Sequence, residues 1–294
     1  MHRIAIAIIL AFGLLAGSCA AAPLKIVASF SILADLARQI GGNHVAVASL
    51  VGPDSDIHSF EPRAGDAALL AKANLVIVNG LGLEGWMDRL IAASGYSGKI
   101  VTASDGVPPL ASAQAGENAV SDPHAWQDIA NARLYVERIM KALVAADPRN
   151  QEAYRRNGAA LDAELAQLDA WVRAEIATIP PSRRLVISSH DAFGYFAHAY
   201  GVKFVAPVGL STEDEPRART LRNLAEQIRR SSIRTLLLEN MSDPKLLRQI
   251  AAETGARIGG ELYADALSAP AGPAGSYQAM MKHNVDVLIK AMRQ

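Results

Sequence analysis

The sequence predicts an α/β protein: two parallel-sheet βα lobes joined by one long rigid helix, with a ligand site in the cleft between the lobes. Three observations carry this. Strand-like apolar runs alternate with helical patterns along two separate stretches, and strands separated by helices imply βαβ units and parallel sheets. Between those stretches, residues 148–179 hold no proline after Pro148, and Tyr154, Leu161, Leu165, Leu168, Val172 and Ile176 recur at three- to four-residue spacing. The 294 residues are ample for two lobes with proper cores.

The elements follow in order. Residues 1–22 (MHRIAIAIILAFGLLAGSCAAA) have a basic start, an apolar run too short to span a membrane comfortably, and a small-residue end with Ala20-Ala21-Ala22 fitting an A-x-A site. They predict an export signal, and hence a periplasmic protein. Ala-Gly-Ser-Cys loosely matches a lipoprotein box, so the alternative is a lipid anchor on Cys19. Residues 23–147 form the first lobe. Leu24–Phe30 and Val45–Val51 are strands, separated by a helix that Gly41-Gly42 stops. A short helix over 63–73, a strand over Leu75–Val78 and a strand over 99–103 follow. An amphipathic helix spans 130–145. Residues 148–179 are the linking helix, ended by Pro180-Pro181. Residues 180–294 form the second lobe, with strands at 185–188, 203–206, 235–238 and 256–261. Its helices are expected at 192–199, 217–230, 244–254 and 276–292.

Composition narrows the function. With 29 basic and 29 acidic residues the chain is not a polycation, and 5% aromatics offer few stacking platforms, so nucleic acid is not expected as a partner. A single cysteine rules out a disulfide scaffold and any Cys-rich metal cluster. Metal chemistry would have to use nitrogen and oxygen ligands.

Three histidines stand where βα loops converge on a cleft. His58 (PDSDIHSFEP) follows the second strand, His124 (SDPHAW) opens a helix, and His190 (VISSHDAFG) directly follows a strand. Contributed from both lobes, they form a candidate metal site of neutral imidazoles. Asp265 and Glu239 each follow a strand-like segment and are candidates for a fourth ligand. Glu61 and Asp191 lie beside two of the histidines and could orient them. His44, His198 and His283 read as surface or packing residues. Gly80, Gly82 and Gly85 spell G-x-G-x-x-G, with Asp105 twenty residues on. Glu84 would place an anion inside that phosphate cradle, and the motif follows the third strand, so a tight packing turn is the better reading.

Several segments together resemble a known family: 54–62 (DSDIHSFEP), 78–86 (VNGLGLEGW), 122–128 (DPHAWQD), 186–201 (VISSHDAFGYFAHAYG), 238–240 and 263–267. They are similar to the zinc- and manganese-specific solute-binding proteins of ABC importers (cluster A-I), over essentially the whole mature chain. The resemblance implies two α/β lobes on one long helix, and His58, His124, His190 and Asp265 as the metal ligands, with Glu61, Asp191 and Glu239 around them. It implies no enzyme. It also implies a monomer that delivers its ion to an inner-membrane permease whose ATPase is a separate chain. Manganese-type members tend to carry Glu where this chain has His190, and three imidazoles with one carboxylate suit Zn²⁺, the expected transported ion. Manganese is the nearest alternative. A secreted zinc hydrolase is a more distant one, since it would need an open metal position and a base such as Glu239. Many zinc members carry a His-rich loop, but residues 111–121 hold no histidine, which suggests direct capture or loading by a metallochaperone. Binding is expected to weaken as pH drops below about 6.5, where imidazoles take up protons.

Overall fold

The computed structural model describes residues 22–111, 121–216, 218–230 and 235–293. Residues 1–21 of the predicted export signal, Cys19 among them, and most of the histidine-free loop lie outside them.

The first lobe runs β1 (Leu24–Phe30), α1 (Ser31–Gly41), β2 (Val45–Val51), α2 (Ala64–Leu70), β3 (Leu75–Val78), α3 (Met87–Ser94), β4 (Lys99–Thr102) and α4 (Ile129–Ala146). β1 is buried over its last five residues, as expected of a central strand covered on both faces. α1 ends because Gly42 turns to φ 55°, while Gly41 packs so tightly on Val45 that a Cβ there would sit 2.2 Å from Cγ2. α2 is shorter than the periodicity predicts. Lys72 N and Ala73 N bond three residues back, to the carbonyls of Leu69 and Leu70, and Asn74 N already donates to Lys25 O. Asp128 caps α4, accepting from Ala130 N at 2.9 Å.

After a short turn at Pro148–Asn150 comes α5 (Gln151–Ala177), which at 1.5 Å per residue is about 40 Å long. The residues it buries include the six that set the sequence periodicity. It lies packed along α1 and α4, and Gly158 faces Met140 of α4 at close range.

The second lobe runs β5 (Leu185–Ile187), α6 (Gly194–Tyr200), β6 (Lys203–Val205), α7 (Ala218–Arg230), β7 (Thr235–Glu239), α8 (Lys245–Thr254), β8 (Arg257–Leu262) and α9 (Tyr277–Arg293). The two four-stranded sheets have orders β2-β1-β3-β4 and β6-β5-β7-β8, with every pairing parallel. They are the same topology used twice. α9 packs on β8, α5 and α1, so one hydrophobic core runs through both lobes. A smaller cluster (Leu224, Ile228, Leu247 and Ile250 among others) holds α7 and α8 to the second sheet.

In the glycine-rich turn after β3 the backbone donors are already taken by a carboxylate of the chain. Gly80 and Gly82 have φ 85° and 82°, and the backbone they curl carries the chain's own anion. The Glu84 carboxylate accepts from Asn79 N at 2.6 Å, Gly80 N at 3.1 Å and Ser29 Oγ at 2.6 Å. Burial pushes the Glu84 carboxyl above its usual range, although these three donors pull it down.

Candidate metal centre

All four sheet-to-loop junctions that matter lie at strand C-terminal ends, where α/β proteins place ligands. The loop after β2 carries His58. Its position is set by Trp86, whose Nε1 donates to Ile57 O at 3.0 Å and whose ring packs on Phe60. The long loop after β4 carries His124. Next to it, Trp126 is fully buried against Phe30, and Trp126 Nε1 and Gln127 Nε2 both donate to Ala264 O, at 2.9 and 2.8 Å. That ties the His124 loop of one lobe to the residue preceding Asp265 in the other. His190 leaves the end of β5, and Asp265 follows β8.

The structure brings His58, His124, His190 and Asp265 together, with one donor atom from each lying within 4.8 Å of all the others. His58 Nε2 is 3.3 Å from His124 Nε2 and 3.3 Å from Asp265 Oδ2. His190 Nε2 is 3.1 Å from Asp265 Oδ2, and His124 Nε2 is 3.6 Å from Oδ1. The side chains of His124, His190 and Asp265 are at most 1% exposed, and that of His58 is 6% exposed.

Two further carboxylates set the tautomers. Asp122 Oδ1 lies 2.8 Å from His124 Nδ1, and Glu239 Oε2 lies 2.5 Å from His190 Nδ1. A carboxylate needs a donor, so Nδ1 carries the proton in both rings and Nε2 presents a lone pair to the centre. Lone pairs there face lone pairs. His190 Nε2 and both Asp265 oxygens are buried and make no hydrogen bond. Asp122, Glu239 and Asp265 are buried carboxyl groups, and among the described residues no lysine or arginine pairs with them. Such an acceptor cage is unfavourable unless a cation or protons occupy it. Protons do so in part. Burial lowers the His190 pKa, but the charges of Glu239 and Asp265 outweigh burial and hold it well above the usual histidine range. Burial likewise raises Asp265, yet His190 and His124 hold it well below the usual carboxylate range. The pH below which protons compete for the cage therefore lies above the 6.5 or so expected from an ordinary imidazole.

Other predicted residues fall differently. Glu239, at the end of β7, accepts from Ser189 N and His190 N as well as from the ring. Glu61 is exposed and among the described residues makes no hydrogen bond to His58. Asp191 is half-buried, and its N–H donates to Gly209 O; the ring of His190 is held by Glu239 instead. His44 packs against Tyr154, and His283 Nε2 contacts Glu261 O. Two residues with roles here were not singled out in the sequence. Asp122 and Asp56 stand two positions before His124 and His58, and each accepts the histidine's backbone N–H at 2.9 Å. The repeated D-x-H spacing was the signal that could have found them.

The ZnuA family profile, described as zinc-uptake complex component A, periplasmic, matches residues 26–291. The iron-binding protein YfeA of Yersinia pestis is 33% identical over 271 residues, covering 92% of this chain and 86% of the relative. The manganese-binding lipoprotein MntA of Bacillus subtilis is 34% identical over 283 residues, covering 95% and 92%. Among solved structures, the periplasmic zinc-binding protein TroA from Treponema pallidum superposes with a TM-score of 0.86 at 29% identity, covering 92% of this chain and 99% of that one. The manganese-bound periplasmic metal-binding protein from Candidatus Liberibacter asiaticus gives 0.80 at 28% identity, with the same coverage.

Proposed function

The chain belongs to the ZnuA family of metal-binding solute-binding proteins of ABC importers, and from that premise we propose that it captures Zn²⁺ through His58, His124, His190 and Asp265 and hands it to its importer. Members of this family are transport proteins, not enzymes, and they serve a membrane permease and an ATPase. A divalent metal is the cargo. The observation that carries zinc is the donor set, three imidazole nitrogens and one carboxylate. Mn²⁺ prefers oxygen-rich surroundings, whereas Zn²⁺ takes mixed N/O tetrahedra readily. A tetrahedron with ligands at 2.0–2.1 Å has edges of about 3.3 Å. The His58–His124 and His58–Asp265 separations of 3.3 Å agree with that.

Capture follows from the residues. Asp122 and Glu239 hold Nδ1 of His124 and His190, so each Nε2 faces the centre and a hydrated ion exchanges its waters for donors already aimed at it. Protons on His190 leave as the ion arrives. The centre draws on both lobes, so occupancy is read in lobe position, which is what a permease would recognise. The name YfeA carries iron and MntA manganese, so a softer selectivity is the second reading. We place the protein in the periplasm after export. The lipoprotein names of MntA and FimA favour a lipid anchor at Cys19 as the alternative to a free periplasmic protein. Loading by a metallochaperone remains compatible with this scheme.

The test is to strip the chain from residue 23 onward and titrate Zn²⁺ and Mn²⁺ in competition. Tight one-to-one zinc binding is expected, with His190→Ala weakening it at least about a hundredfold. A preference for manganese would keep the transport role and overturn the selectivity. Unchanged zinc affinity in His190→Ala would overturn the ligand assignment.

A further inference from the structure

We propose that Thr212 and Asn240 are catches that hold the His58 loop shut over the bound ion and thereby set the rate of ion exchange; this rests on the metal-capture reading above. His58 is the ligand whose side chain reaches solvent furthest, so the ion passes it on the way in and out. Its loop belongs to the first lobe and stays pinned there through the Trp86–Ile57 hydrogen bond. Three segments of the second lobe nevertheless grip it. Leu267 O accepts from Asp54 N at 2.9 Å. Asn240 Nδ2 donates to Asp54 Oδ1 at 2.9 Å. Thr212 Oγ1 donates to Asp56 Oδ2 at 2.6 Å.

The Thr212 contact reaches the ligand through one intervening residue, Asp56. The other oxygen of Asp56 accepts the backbone N–H of His58 at 2.9 Å, so one carboxylate couples the second lobe to the chain that carries the ligand. The segment bearing Thr212 is anchored beside a second ligand, because Gly209 O accepts Asp191 N at 3.0 Å. It is therefore a strap from the neighbour of His190 in one lobe to the neighbour of His58 in the other. Asp54 sits at φ 51°, a left-handed conformation that Asp tolerates with some strain, and its two partners across the lobe boundary hold it there. When the catches part, the loop retreats with the first lobe and takes His58 off the ion.

Thr212 and Asn240 touch neither the ion nor its ligands, so they are positioning residues. Each removes a neutral donor from a carboxylate, and losing one such bond is expected to speed opening about tenfold. The experiment uses the mature chain loaded with Zn²⁺ and chased with excess chelator by stopped flow, with capture followed separately. Thr212→Val and Asn240→Ala are each expected to raise release and capture rates together by about tenfold, leaving Kd within about threefold. Thr212→Ser, which restores the hydroxyl, is expected to restore the slow rate. A side chain that merely supported the fold would raise Kd and would not be rescued in rate by serine. Release rates in both variants within twofold of the parent, with parental zinc binding intact, would overturn the catches and leave the capture reading standing. A parent that binds no metal tightly would overturn both.

Discussion

Glu239→Gln isolates the residue that orients His190. The carboxylate accepts from Ser189 N at 2.9 Å and His190 N at 3.2 Å through Oε1, and from His190 Nδ1 at 2.5 Å through Oε2. Glutamine keeps the shape but has one acceptor oxygen. If that oxygen stays on the two backbone N–H groups, the amide NH₂ points at Nδ1, and the ring must move its proton to Nε2, where it blocks the ion. If the amide flips to serve Nδ1, two buried N–H groups lose their acceptor, which costs about 1–3 kcal/mol. Both routes converge on the tenfold to hundredfold loss typical when the partner of a ligating histidine is changed, about 1.4–2.7 kcal/mol. The assay is a zinc competition titration against a chelator at pH 7.5, with circular dichroism and a melt to confirm the fold. Affinity within twofold of the parent, at an unchanged melting temperature, would refute the tautomer argument.

Other outcomes follow from the same geometry. In Gly194→Ala the new Cβ would lie 2.3 Å from Asp122 Oδ2 and push that carboxylate off His124. Zinc affinity is expected to drop about tenfold and stability by about 1–3 kcal/mol, while Gly158→Ala, which meets the flexible Met140 side chain far from the centre, leaves zinc affinity unchanged. Equal affinity in both variants would contradict this. The metal-free protein should depend on pH with a definite sign. The raised His190 pKa stabilises the fold fully below about 6.5 and is lost as pH rises through the folded value. The depressed Asp265 pKa stabilises it above about 3.9 and is lost as pH falls through the folded value. Metal-free melts from pH 5 to 9 should therefore be highest at the acid end, and a maximum at pH 9 would sink the assignment. Zinc affinity runs the other way, falling as pH drops from a point already above 6.5, and calorimetry in two buffers should show a proton released near pH 7. Saturating zinc, binding only the native state, should raise the melting temperature in proportion to ln(1 + [Zn]/Kd), and no shift would argue against zinc binding to the folded protein.

Much of this protein is local and so legible along the chain. Alternating strand and helix signals, the proline-free run of α5 and the Gly41-Gly42 stop are written in short-range periodicity and backbone sterics, and the observed elements follow them within a few residues. α2 departs because its last turn is taken by the hand-over into β3. The glycine pattern after β3 was legible too, since Glu84 inside the cradle marks an anion supplied by the chain itself. Histidines just beyond strand ends and a carboxylate after the last strand of the second sheet were visible as residue types at the right kind of position.

Tertiary structure decided what those residues do to one another. His58 and Asp265 are 207 positions apart (265 − 58), and only the folding of two lobes against α5 and α9 brings their donor atoms to 3.3 Å. It chose Glu239 and Asp122 as the partners of the imidazoles, leaving Glu61 exposed and Asp191 on the strap. It pushed His190 up and Asp265 down in pKa, because burial and charge are properties of a neighbourhood. Periodicity depends on the next few residues and is carried by sequence. A buried cage of lone pairs depends on groups from both halves of the chain, and it exists only once the chain has closed around it.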